Sequence, residues 1–345
     1  MTVEHARSAR LQVGLAGLGS MGRNHLRNLI ARDDVTVAAV ADPDQDALAD
    51  ALGRIAGLRT FSDPVVMLGS IPLDAVIVAV PTTLHHPVAL AAIRHGVAVL
   101  VEKPIASTIA EGRELAGAAR DSGVVLQVGH IERFNPAILE LERRLQAGAL
   151  SRIFSVRTIR GGPRPERIQD VGVAIDLATH DVDIICHIVG EQPVRLYAEA
   201  TRHVHTAHED LVYGLMAFPD GVLGQLDVNW LTPEKQRRVV VLGEEGMFLV
   251  DYLSQALSFT RGRDDLPPTY LDGYAPTIRG ETVGLPVMPG EPLRHELDAF
   301  FDAVRSGGPA AVTAEEGLRA LALATMLLRS AAAHHSLEIT AEDLS

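Results

Sequence analysis

Cysteine is almost missing from this chain of 345 residues. Cys186 stands alone, so no internal disulfide can form, and a zinc site needing several Cys and His ligands at short spacing has little to draw on. A reducing cytosol is the expected home. Long apolar runs are missing too. The greasiest segment, 318–333, carries Arg319 and Arg329 and falls short of the roughly 20 residues that span a bilayer. Residues 13–18 are broken by glycine and followed by Arg23 rather than by a small-residue cleavage site, so no secretory signal is expected. Positive charge is in short supply: 31 Lys and Arg against 44 Asp and Glu leave a net charge of −13. Such a field repels phosphate backbones and anionic lipid heads, which argues against nucleic-acid and membrane partners. Lysine is scarcest of all, with Lys103 and Lys235 the only two.

What is present is the composition of a globular protein with two domains or one large one, 47% hydrophobic and 22% charged. From residue 11 to about 129, short β-branched runs at 11–16, 35–41, 74–80, 97–101 and 124–128 are apolar on both faces, as strands buried in a parallel sheet are. Helical periodicity fills the gaps at 23–31, 44–56, 86–95 and 108–121, which predicts a doubly wound α/β sheet over 1–129. After Pro136 the grammar changes. A helix at 137–146, a strand at 152–160 and a helix at 174–189 precede closely spaced strands at 194–205, 210–218, 222–231, 236–243 and 247–252. Spacing that short predicts antiparallel neighbours. Residues 261–290, rich in Gly and Pro, read as a long surface loop before two terminal helices at 291–305 and 314–333. Residues 130–345 are therefore expected to form a second domain, for substrate and oligomer contacts.

Three groups of residues carry chemistry. Gly17-Leu18-Gly19-Ser20-Met21-Gly22 follows a strand and opens a helix: the first glycine permits the tight turn, the second lets backbone approach a pyrophosphate, and the third lets helix pack on strand. Asp42, 20 residues past Gly22, ends the second strand, where a carboxylate accepts from ribose hydroxyls and repels a 2′-phosphate. NAD is thus favoured over NADP. The second group, Pro81, Thr82 and His85 with Glu102-Lys103-Pro104, lies at the carboxyl ends of two strands, where open α/β sheets bind ligands; Lys103 is placed to meet a nicotinamide and a substrate hydroxyl. The third is Asp176, His180, Asp183 and His187, at helical spacing, read as a polar wall facing a cleft. His203, His205 and His208 near a strand end read as solvated rather than metal-binding. Arg160, Arg164 and Arg167, set among glycine and proline, are a candidate diphosphate clamp.

In this order the motifs resemble the Gfo/Idh/MocA family of sugar oxidoreductases over nearly the whole chain: Gly17-x-Gly19-x-x-Gly22, Glu102-Lys103-Pro104, Gly129 to Pro136, and Asp176-x-x-x-His180-x-x-Asp183. Residues 128–136, Thr232-Pro233-Glu234-Lys235 and 246–252 look most like its UDP-N-acetylglucosamine 3-dehydrogenase branch. The resemblance implies a Rossmann domain, a second α/β domain whose large, mostly antiparallel sheet has an open face used for dimer or tetramer assembly, and NAD. It further implies that Lys103 bonds the reacting hydroxyl, His180 acts as acid/base and Asp176 orients the substrate. The corresponding reaction oxidises a ring hydroxyl, at C3, of a nucleotide-activated sugar. Alternatives are reduction of a 3-keto nucleotide sugar, oxidation of a free polyol or sugar phosphate, and, from another class, a dinucleotide-sensing regulator.

Overall fold

The computed structural model describes residues 10–165, 171–204, 207–262 and 280–344. Its first unit begins with β1 (Leu11–Ala16), α1 (Ser20–Ile30), β2 (Val35–Ala41), α2 (Gln45–Arg54), β3 (Arg59–Phe61), α3 (Pro64–Ser70) and β4 (Ala75–Val78). It continues through α4 (His85–Arg94), β5 (Ala98–Glu102), α5 (Ile109–Ser122) and β6 (Leu126–Gly129). The six strands pair in parallel in the order β3-β2-β1-β4-β5-β6. Val13, Leu15, Val76, Ile77, Val99 and Leu100 are fully buried, which is why these runs lack alternation. Strand order reverses between β1 and β4, so their carboxyl ends flank the crevice that such sheets use for ligands. The elements β3 and α3 are absent from the sequence reading. Three and seven residues are too few for periodicity, although Asp63, which accepts from the Val65 and Val66 N–H groups with Pro64 behind it, is a helix-start signal.

The second unit holds α6 (Pro136–Gln146), β7 (Ile153–Gly161), a π-helical turn (Ala174–Ala178) and α7 (Thr179–Val189). Strands β8 (Arg195–Thr201), β9 (Leu211–Ala217), β10 (Leu223–Asn229), β11 (Gln236–Gly243), β12 (Gly246–Asp251), β13 (Ala256–Arg261) and β14 (Glu281–Leu285) follow. With β15 (Leu337–Glu338) these form a nine-stranded sheet ordered β14-β13-β12-β11-β7-β10-β9-β8-β15. Neighbours are antiparallel except β7 and β10. The expectation that successive strands pair holds from β8 to β10 and for β11 with β12, but β7 is inserted between β10 and β11, and β13 is a strand that the sequence reading does not contain. Alternation is clean: Val212, Met216, Leu226, Val228, Val239 and Val241 are buried, whereas Tyr197, Tyr213, Leu215, Leu223 and Leu242 remain exposed on the opposite face. The expected loop at 261–290 is only partly so: 263–279 lie outside the described residues, and Glu281–Leu285 forms the exposed edge strand β14, whose sequence lacks apolar alternation.

A further correction concerns the domain boundary. The first unit runs to His130 but also takes Leu293–Leu318, comprising most of α8 (Pro292–Ser306) and the start of α9 (Ala314–Ala333). Leu297, Phe300 and Phe301 of α8 are fully buried, Val128 N–H donates to Val312 O at 3.1 Å, and Arg32 pairs with Asp298. Periodicity announces that a helix buries one face; it does not say which unit receives it. Among the described residues no helix is long and apolar enough to cross a membrane.

Candidate active site

The turn after β1 is built for close backbone approach. Gly17 has φ +92°, and a Cβ there would lie 2.4 Å from Ala79 O; a Cβ on Gly22 would lie 2.0 Å from Gly17 O. Gly19 instead faces open space, and α1 starts at Ser20 with no side-chain cap and no acidic residue in its first turn. Its first N–H groups, from Ser20, Met21 and Gly22, therefore have no intrahelical acceptor and point out of the helix end, a ready site for a pyrophosphate. Asp42 closes this cradle. One carboxylate oxygen accepts from Leu18 N–H at 2.6 Å, the other from Asp44 N–H at 2.9 Å, and each oxygen keeps a lone pair for a ribose hydroxyl. These residues fit a dinucleotide.

At the ends of β4 and β5, Pro81 is exposed, Thr82 opens a short 3₁₀ turn and Lys103 is half-buried. His85 and Glu102 have other duties. His85 is buried with Nδ1 at 2.8 Å from Pro104 O and Nε2 at 3.0 Å from Val80 O. Burial pushes its pKa down, and the neutral ring, with one N–H, donates to one of these two carbonyls while packing between the Lys103 segment and the end of β4. The Glu102 carboxylate meets His25 Nε2 of α1 at 2.8 Å. Burial alone would raise this carboxyl; the His25 hydrogen bond, with the charges of His25 and Lys103, overrides it and keeps Glu102 ionised. Glu296 of α8 is the opposite case: both carboxyl oxygens are buried without a hydrogen-bond partner among the described residues. Burial first and the Glu102 charge second push its pKa far up, making it a neutral acid. Neither His25 nor Glu296 stood out in the sequence, because each acquires its meaning from a distant segment.

In the second unit the π-helical turn carries half-buried Asp176, and α7 carries His180, 9% exposed. Glu209 holds the start of this turn by accepting from Ala174 N–H at 3.0 Å. The anticipated single polar wall divides into two. Asp183 is buried in a bidentate pair with Arg133, at 2.8 and 2.5 Å, and His187 faces Glu142 at 3.6 Å. These two are structural, while Asp176 and His180 remain candidates for chemistry. His180, Asp183 and His187 all lie on the regular α7, so the division comes not from helix phase but from Arg133 and Glu142, partners on other segments that spacing does not reveal. Among the described residues no group of three or more His, Cys, Asp or Glu could hold a metal; His205 lies outside them.

The arginine segment also departs from expectation. Arg160 is 3% exposed, with Nε at 2.9 Å from Asp181 and Nη1 at 2.7 Å from Glu132, its guanidinium over the Tyr252 ring. Two carboxylates neutralise it, so it is no diphosphate clamp; its position on β7 directs it inward beside Thr158 and Val156. Burial pushes Asp181 up to about 6 despite the neighbouring Arg160. Arg164 is half-buried, and Arg167 lies outside the described residues. A residue that the sequence reading passed over, Arg237 of β11, sits in register with Arg160 of β7. A cation on the buried parity of a strand was the available signal.

Comparison with known proteins agrees with this geometry. Residues 11–130 match the GFO/IDH/MocA oxidoreductase family, NAD-binding Rossmann fold, and residues 138–249 match the GFO/IDH/MocA C-terminal domain. The chain is 29% identical over 330 residues to inositol 2-dehydrogenase 2 of Saccharopolyspora erythraea, covering 93% of each chain. It is 29% identical over 315 residues to the UDP-N-acetylglucosamine 3-dehydrogenase of Acidithiobacillus ferrooxidans, covering 91% of this chain and 95% of that one. A solved structure of the latter protein superposes with a TM-score of 0.83 at 26% identity, over 94% of this chain and 99% of the other. A levoglucosan dehydrogenase solved with NADH and L-sorbose shares the fold, with a TM-score of 0.83 at 22% identity over 96% of this chain and 100% of that one. A glycine turn and acidic strand end that fit NAD, matched by both halves of the chain, identify it as an NAD-dependent dehydrogenase of the Gfo/Idh/MocA family.

Proposed function

We propose that this enzyme oxidises the C3 ring hydroxyl of a nucleotide-activated sugar such as UDP-N-acetylglucosamine. The observation that carries the reading is half-buried Lys103 at the carboxyl end of β5 in the first unit and, in the second, buried His180 on α7 four residues after Asp176 of the π-helical turn. Oxidation of a secondary alcohol needs a group to take the hydroxyl proton and others to hold the oxygen and the ring. In this reading Lys103 bonds the reacting hydroxyl, His180 accepts its proton and Asp176 orients the ring. Bound NAD supplies the acceptor for the hydride. Gly17, Gly19, Ser20, Met21, Gly22, Asp42, Pro81 and Thr82 hold it, while Glu102 and His85 position Lys103. Of the arginine segment, half-buried Arg164 is left in this reading as a candidate for the diphosphate. The nucleotide sugar is favoured by the relative from Acidithiobacillus ferrooxidans, and a free polyol by the equally similar inositol dehydrogenase.

NADH formation with UDP-N-acetylglucosamine and with myo-inositol, followed at 340 nm, separates the two substrates. Lys103→Ala and His180→Ala should each lower turnover by roughly 10² or more while NAD binding stays near that of the parent. Full activity in either variant removes that residue from the mechanism. The exposed apolar face of the nine-stranded sheet further supports assembly as a homo-oligomer, a dimer or tetramer.

A further inference from the structure

The second unit contains two adjacent guanidinium groups in very different circumstances. Arg160 is enclosed and ion-paired with Asp181 and Glu132 through Nε and Nη1, while its Nη2 is buried without a hydrogen-bond partner among the described residues. Arg237, opposite it on β11, forms no ion pair among the described residues. Only its Nη1 is engaged, donating to the backbone carbonyls of Gly161 at 2.5 Å and Gln236 at 2.7 Å. Those two bonds fix the plane of the guanidinium and leave the Nε–Nη2 edge, with three N–H donors, unused. That edge is the geometry that grips two oxygens of a carboxylate or phosphate. Its surroundings are unfavourable to a lone cation: burial and the charge of Arg160 bring the Arg237 pKa down to about 10, against weaker opposing pulls from Asp181, Glu132 and Asp176. A cation held half-buried beside a second one thus keeps a forked donor edge that meets no anion among the described residues. The field of Asp176 reaches it, which associates it with the residues assigned to the substrate.

We propose that Arg237 anchors an anionic group of the substrate, a phosphate or carboxylate whose two oxygens lie on its Nε–Nη2 edge. The proposal deepens the reading of the protein as a sugar dehydrogenase and rests on it for the term substrate; the anion site itself does not depend on turnover. It moves to Arg237 the anion-binding role first expected of Arg160.

Calorimetric titration of the NAD-loaded full chain tests this with three probes: inorganic pyrophosphate, glucuronate and neutral myo-inositol. Arg237→Gln should weaken binding of an anion tenfold or more and change that of myo-inositol less than twofold, with Arg237→Lys in between. Loss confined to pyrophosphate identifies a phosphate site, and loss confined to glucuronate a carboxylate site. Because Nη1 also ties two carbonyls, a measurement on the unsubstituted protein is added: pyrophosphate or glucuronate should protect Arg237 from phenylglyoxal, read by peptide mass. Absence of anion binding by the parent, absence of protection, or equal weakening of neutral and anionic probes overturns the proposal. Should neutral polyols reduce NAD while no anion binds, the anchor fails and the dehydrogenase reading stands. Arg237-dependent anion binding with no sugar oxidised gives the reverse.

Discussion

Gly22 and Asp42 illustrate how single residues set cofactor binding here. A methyl group on Gly22 would press against Gly17 O, and backbone cannot yield as a flexible side chain can. Gly22→Ala should therefore cost about 1–3 kcal/mol, seen as a melting temperature several degrees lower, and weaken NAD by about tenfold or more in a fluorescence titration. Asp42 acts by charge. With its carboxylate fixed by Leu18 and Asp44 N–H groups, a 2′-phosphate would meet a stationary anion. NAD should bind more tightly than NADP, and Asp42→Ser should narrow the gap between the two dissociation constants. Both residues were legible in the sequence because a local turn and a fixed spacing define them. Arg237, Glu296 and Arg133 were not, since each is defined by a partner brought from elsewhere in the chain.

At the scale of elements, α7 is anchored by an ion pair, whereas α8 buries an acid whose carboxyl has no hydrogen-bond partner among the described residues. Arg133 and Asp183 satisfy one another away from water, so Asp183→Ala would strand a buried guanidinium and should cost about 3–5 kcal/mol in urea unfolding. Glu296 predicts a pH effect of definite sign. Its carboxyl holds its proton well above the ordinary 4.5 in the folded state, so its contribution to stability is complete below that value and is lost as pH rises toward the folded pKa. Glu296→Gln removes the titration, and its melting temperature should fall less than the parent's between pH 5 and 9. The existence of α7 and α8 was plain from apolar periodicity, whereas the π turn before α7 was not, because an extra residue in a helical turn leaves the composition unchanged. The strand pairing was legible only where hairpins enforce it; insertion of β7 beside β10 is a long-range choice.

For the molecule as a whole, the nine-stranded sheet keeps Tyr197, Tyr213, Leu215, Leu223 and Leu242 exposed on one face. Sedimentation at micromolar concentration should show a species larger than the 36.9 kDa chain, and Tyr213→Arg with Leu215→Glu should shift it toward the monomer. The same scale governs how the protein comes into being on the ribosome. The N-terminal sheet needs Phe300, Phe301 and the segment ending at Leu318 to complete its core. At about 5–20 residues per second, the roughly 190 residues that separate His130 from Leu318 take on the order of 10–40 s to emerge. Throughout that interval the nascent cofactor unit carries a bare apolar surface, which makes it a natural client for chaperones that bind growing chains.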